Sequence, residues 1–139
     1  MLDDGQLLTE NVAILCWVAD RAPRLAPAGD LGRIRLIEML AFIASELHKP
    51  FVRAFFPTSD AEKQVAQNAI RKRLGFLAGR LEGDYLFGSE FSVADAYLYV
   101  MLRWARMQEL EIPQPLPAFA LRMEARPAVR QALQHEGLA

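Results

Sequence analysis

"FSVADAYLYVMLRWARMQEL", residues 91–110, decides how this chain folds. Between Val93 and Leu102 only Asp95 is charged, and apolar side chains point to nearly every side of a helical projection. A helix that is apolar all round is stable when other protein surrounds it, so this segment is expected to be the central post of the fold. Its entrance reads Ser92-Val93-Ala94-Asp95, the Asp form of a capping box. The Ser92 hydroxyl can accept from the Asp95 amide while the Asp95 carboxylate returns to the Ser92 amide. Losing such a cap typically costs about 0.5–2 kcal/mol. Because the carboxylate is engaged by local amides, a structural role for Asp95 is expected over general acid or base work.

The flanking segments supply the surrounding helices. Val12, Ile14, Leu15, Trp17 and Val18 give residues 10–21 a wide apolar face, stopped before Pro23. "RAPRLAPAGD", residues 21–30, is a Pro/Gly-rich connection, and Asp30 is the expected N-cap of the next helix. Leu36, Ile37, Leu40, Ile43, Ala44 and Leu47 recur there at helical spacing until Pro50 kinks or interrupts the helix, with one further turn to Pro57. Thr58 or Ser59 should cap a helix with acids in its first turn, running to about Glu82 with Gly83 at its C-terminal end. Tyr85, Leu86 and Phe87 should pin the connector that follows to the core. Beyond Pro113, Pro115 and Pro117 come two short helices, each with Pro near its start and the second with Gly137 near its end. The expected fold class is all-α, apart from the first eight or so residues.

Those first residues, "LDDGQLLTEN" at 2–11, read as two short runs reversing at Asp4-Gly5 and then entering a helix. Asp-Gly between apolar runs is a strong hairpin signal, yet an isolated hairpin is barely stable in water. No third strand is evident to complete a sheet.

With 139 residues the chain suits one domain that buries a sizeable core without disulfides. A formal net charge of -1 offers no broad basic field, so neither nucleic acid nor an anionic membrane is an expected partner. The short cluster Arg71, Lys72 and Arg73 reads as a solvated helix face. The single cysteine, Cys16, forms no internal disulfide and no Cys/His set has zinc spacing, which suits a reducing cytoplasm and predicts no metal site. No uncharged apolar run approaches the roughly 18 residues of a membrane span.

Few residues could carry chemistry. His48 sits between Glu46 and Lys49-Pro50, where a disturbed helix can turn side chains into a cleft, although composition favours an ordinary surface or partly packed histidine. His135 is expected to be solvated. Cys16 lies mid-helix among apolar neighbours, the setting of a small hydrophobe and not of a nucleophile. Phe51, Phe55, Trp104 and Met107 could line an apolar pocket or simply fill the core. At Thr9-Glu10-Asn11 free helix amides could hold a carboxylate and Glu10 an ammonium, the two charged ends of an amino acid; the same residues also make good caps.

Taken together, "LDDGQLLTENVAIL" (2–15), "FIASELHKPF" (42–51), "FSVADAYLYVMLRWA" (91–105) and "RPAVRQALQHEGL" (126–138) resemble the glutathione S-transferases of the bacterial beta class. The resemblance implies that residues 1–22 are the last hairpin and helix of a thioredoxin-like N-terminal domain, and 23–139 the all-helical C-terminal domain. It implies that the β-α-β portion bearing the catalytic Cys, Ser or Tyr and the cis-proline loop is not in this sequence. By position, Glu10 and Asn11 match the pair that holds the γ-glutamyl end of glutathione. Ser45, Glu46 and His48 match positions lining the glutathione and electrophile sites, with His48 assisting the thiol, and Phe51 and Trp104 fall at the electrophile pocket. Ala41 stands where close relatives carry Asn, which removes one contact. The partners implied are glutathione, as a weakly held cosubstrate with no tightly bound cofactor, a hydrophobic electrophile, and a second copy in a homodimer. The expected dimer surface is the helix 31–49, with Leu40 and Ile43 on the shared face. Little or no conjugating turnover is expected of this chain, and a non-catalytic protein-interaction module of the same helical fold is the alternative.

Overall fold

The computed structural model describes Leu2 and residues 4–138. Its helices are α1 (Asn11–Arg21), α2 (Gly32–Phe42), α3 (Lys49–Phe55), α4 (Asp60–Ala78), α5 (Val93–Met107), α6 (Leu116–Ala125) and α7 (Pro127–His135), with a 3-10 turn at Pro23–Leu25. A π-helical turn, Ile43–His48, joins α2 to α3. Pro50 explains that turn. Its nitrogen carries no hydrogen to donate to the Glu46 carbonyl, so the rod widens locally and continues past the proline without breaking.

α5 is the post. Val93, Ala94, Asp95, Tyr97, Leu98, Tyr99, Met101, Leu102 and Ala105 are all buried along it. Around it, Leu36 and Leu40 of α2, Ile43 and Leu47 of the π turn, Phe51 of α3, Ile70, Leu74 and Leu77 of α4, and Leu116, Phe119 and Met123 of α6 form one core. Leu40 and Ile43 have no exposed surface, so the dimer surface expected from them is corrected: both belong to the chain's own interior. The apolar side chains that α2 leaves outside are Leu31, Ile34 and Ile37.

The capping box forms at the entrance of α5, and its carboxylate does more than cap. Asp95 is fully buried. One oxygen accepts from the Ser92 amide at 2.8 Å and the Ser92 hydroxyl at 2.6 Å, while the other accepts from the Leu86 amide at 2.8 Å. The last bond ties the 79–92 connector to the post. Burial pushes the Asp95 carboxyl upwards, partly offset by those donors.

Several helix ends differ from expectation. Asp30 lies in the turn before α2 and does not cap it; the N-cap position is Leu31, without a side-chain bond. At α4 the expectation of Thr58 or Ser59 resolves into both: Ser59 Oγ accepts from the Glu62 amide at 3.2 Å, and Thr58 donates through N and Oγ1 to the Glu62 carboxylate. α4 stops at Ala78, short of Glu82, and Gly83 serves a different purpose. A Cβ there would stand 3.0 Å from the backbone of Gly88, which pairs with Tyr85 in a tight turn. α7 ends as its glycine predicts, with Gly137 at φ 65 and the Leu138 amide donating to the Leu133 carbonyl.

The reversal at Asp4-Gly5 is present, with Gly5 at φ 84, the Leu2 amide donating to the Gln6 carbonyl and the Gly5 amide to the Leu2 carbonyl. No strand ladder extends it among the described residues, as expected of two short segments without a sheet to join.

Two helical glycines separate packing from propensity. Gly32 is buried at the start of α2, where a Cβ would lie 2.0 Å from the Pro27 carbonyl oxygen, so Gly32→Ala must displace the 22–31 connection. A loss of about 1–3 kcal/mol is expected. Gly75, inside α4, has nothing within 4 Å of such a Cβ, and Gly75→Ala should gain about 0.5–1 kcal/mol. Thermal unfolding of both variants checks the opposite signs.

Candidate functional site

α1 opens on strained backbone. Glu10, its N-cap, sits at φ 66, ψ 118, while its carbonyl accepts the first helical bond from Ile14 at 3.0 Å. A side chain held there costs about 1–3 kcal/mol, and such positions cluster at ligand sites. No side chain caps the helix amides that follow, and both Glu10 and Asn11 are exposed.

Beside this helix start lies a pocket of about 300 Å³, lined by Asn11 and Leu15 of α1, His48 of the π turn, and Ala96, Tyr97, Val100, Met101 and Trp104 of α5. Its polar centre is a short hydrogen bond between His48 Nδ1 and the Tyr97 hydroxyl at 2.7 Å. The His48 ring meets Trp104 edge to face at 4.9 Å between centroids. Phe51 and Phe55 pack against Trp104 at 5.8 and 5.5 Å and fix its plane. Burial lowers the His48 pKa, so the ring is neutral at pH 7. Burial raises that of Tyr97, with hydrogen bonding from the Asn11 side chain acting the other way. A neutral imidazole, a phenol, an amide and apolar walls can orient a polar ligand and hold a proton in place.

The structure therefore brings Asn11, His48 and Trp104 together from three elements and keeps other candidates apart. Ser45 is exposed and outside this pocket. Glu46 turns to α4, where Arg73 donates to its carboxylate at 2.7 and 3.2 Å; the pair lines a separate depression with Phe42, Lys72 and Phe76. Phe51 is fully buried, so its expected place in the pocket wall is corrected to a support behind Trp104. Met107 is also outside the pocket, and Cys16 lies half-buried within α1. Ser92 and Asp95 are structural, as above. Tyr97 was not among the expected site residues. Its signal was its place seven residues before Trp104, two helical turns away on one face of α5. Among the described residues no His/Cys/Asp/Glu group has the arrangement of a metal site, and no helix is long and apolar enough to cross a membrane.

Comparison with known proteins identifies the family. The family model described as "Glutathione S-transferase, C-terminal domain" matches residues 39–130. The chain is 41% identical over 145 residues to glutathione S-transferase GstA of Escherichia coli O157:H7, covering 99% of this chain and 72% of that relative. The beta-class glutathione S-transferase of Sphingomonas chungbukensis superposes with a TM-score of 0.89 at 46% identity, again covering 99% of this chain and 72% of the other. A sphingomonad glutathione S-transferase complexed with glutathione gives a TM-score of 0.88 at 46% identity, with the same coverage. With the helical post, the buried Ser92–Asp95 cap and whole-chain likeness in agreement, the chain belongs to the glutathione S-transferase family, and its helical bundle is of that family's C-terminal domain type.

Proposed function

We propose that this chain forms the helical wall of a glutathione-conjugating site. The observation that carries the reading is the convergence of Asn11, His48 and Trp104 on one pocket beside the strained helix start at Glu10. In this reading residues 1–22 are the end of a thioredoxin-like unit, and residues 23–139 are the helical domain. The carboxylate of the γ-glutamyl end meets the uncapped amides of α1 and Asn11, and its ammonium meets Glu10. The thiol lies towards His48, and a hydrophobic electrophile rests on Trp104 and Val100. The chemistry is attack of a thiolate sulfur on an electrophilic carbon, which needs the thiol ionised and held in line. The setting proposed is the cytoplasm. The assembly proposed is a homodimer, built on the apolar side chains that α2 and α4 leave exposed, Ile34, Val65 and Phe76 among them, and not on Leu40 or Ile43.

Glu10, Asn11 and the first amides of α1 hold only one end of the tripeptide, so the affinity of this chain alone is expected in the millimolar range, about -4 kcal/mol. Calorimetric titration with glutathione tests this. A weak saturable isotherm that Asn11→Ala weakens further supports the reading. Silence at tens of millimolar overturns it in favour of the interaction module. A micromolar constant with turnover of a chlorinated aromatic overturns the expectation of a crippled enzyme.

A further inference from the structure

We propose that the cleft between α5 and α7 is a second ligand site, taking an acid with an extended apolar body, of the fatty or arylalkyl carboxylic class, with its carboxylate at Arg126. The cleft has a volume of about 390 Å³, within the roughly 300–1,000 Å³ usual for small-molecule sites. Val100, Trp104 and Met107 of α5, Met123 of α6, and Val129 and Leu133 of α7 form its walls. It shares Ala96, Val100 and Trp104 with the pocket described above, but neither Asn11 nor His48 lines it.

Shape and charge together define the occupant. From Ala96 to Met107 the lining follows α5 for about 16 Å at the rise of an α-helix. α7 packs on α6 and buries none of its own residues fully, so Val129 and Leu133 leave apolar surface along the gap instead of closing it. An elongated apolar body fits that space.

Four arginines lie on α5, on α6 and at the junction of α6 with α7. The two outside the cleft are paired with carboxylates, Arg106 with Glu124 at 2.6 Å and Arg122 with Asp84 at 3.5 Å. The two that line it, Arg103 and Arg126, are in no ion pair among the described residues. Arg103 donates to the Leu138 carbonyl at 3.1 Å and ties down the segment after α7. Arg126 is half-buried, lies over the Phe91 ring at 4.1 Å and donates to the Tyr85 hydroxyl at 3.0 Å. An aromatic face and a neutral oxygen orient a guanidinium without neutralising it, and its planar fork matches a carboxylate. The one acid in the lining, Glu136, is exposed and is the C-cap residue of α7, whereas Arg126 is its N-cap residue, so the two stand at opposite ends of that helix. An incoming carboxylate therefore meets its cation at the Phe91 end.

Amide ¹H–¹⁵N spectra of the chain titrated with dodecanoate test the site. The expected result is saturable binding of one acid per chain, with the largest shifts on α7 and on the part of α5 from Ala96 to Met107. Arg126→Gln should weaken it about ten- to a hundred-fold, the loss of a charge-assisted bond. Dodecyltrimethylammonium, with the same chain and the opposite charge, should bind the parent more weakly than the acid does. Because Arg126 also bonds to Tyr85, a second variant guards against unfolding: Ala132→Phe, at an exposed α7 position in the lining, should block the acid while the spectrum stays native. Shifts centred on Asn11 and His48, equal affinity for the ammonium, unsaturable uptake of an adventitious surfactant only, or an affinity that folded Arg126→Gln leaves unchanged would each overturn the proposal. So would α7 shifts that grow with protein concentration before any acid is added, since a second copy would then fill the cleft. Glutathione takes no part in this titration, so its outcome and that of the function proposed above are separate results.

Discussion

Asp95→Ala is expected to remove about 4 kcal/mol of stability, read as a shift in the urea midpoint at unchanged slope. The carboxylate accepts three hydrogen bonds, from the Ser92 amide, the Ser92 hydroxyl and the Leu86 amide. Ser92 and Leu86 are 2% and 1% exposed, so water does not replace the lost acceptor. The hydroxyl can rotate to another acceptor, but the two amides cannot. A buried donor left unpaired costs about 1–3 kcal/mol, and two of them make a loss on the order of 4 kcal/mol. A domain of this size has roughly 5–15 kcal/mol in all, so the variant should be marginal at best. Asp95→Asn keeps one acceptor oxygen and should fall between the two. A loss below about 1 kcal/mol for Asp95→Ala would mean that the connector is not held by this group.

Leu40→Glu and Ile43→Glu are expected to abolish folding, seen as lost far-UV helicity and lost cooperative unfolding. Both side chains have zero exposure in a core shared with α5. Deleting their packing costs about 2–5 kcal/mol, and an unpaired buried carboxylate adds several more or must be protonated. Ile34→Glu is the matched control: the same helix and the same charge, at a position 60% exposed, with helicity expected to be intact. If Leu40→Glu kept native helicity and a sharp transition while converting a dimer to monomers, the surface reading of that side chain would stand and the core described here would be wrong.

What could be read from residues alone followed from how local each cause is. The post at α5, the Ser92–Asp95 box, the Ser59 cap and the Gly137 ending are set by spacing within a few residues, and each is where periodicity and capping chemistry place it. Gly83 misled because its constraint is the backbone of Gly88, folded back against it by the turn at Tyr85–Gly88, and not the end of a helix. Leu40 and Ile43 misled for a related reason. Periodicity marks an apolar face without saying what covers it, and here α5 and the chain's other helices do. At the site, His48 and Trp104 were legible from the helix disturbance and from aromatic content. Tyr97 was not, because a tyrosine on an all-apolar helix looks like core until the π turn brings an imidazole to its hydroxyl.

The widened turn at Ile43–His48 also divides the long rod into two azimuthal phases. A wide turn takes about one residue more than an α turn, so side chains beyond it are rotated by roughly 100° relative to an uninterrupted continuation of α2. Deleting a single residue from this stretch would swing the imidazole out of reach of its phenol and turn the buried Phe51 away from the interior with it. Insertions and deletions within these six positions therefore reach the pocket and the interior together, because the same turn sets the direction of His48 and of Phe51.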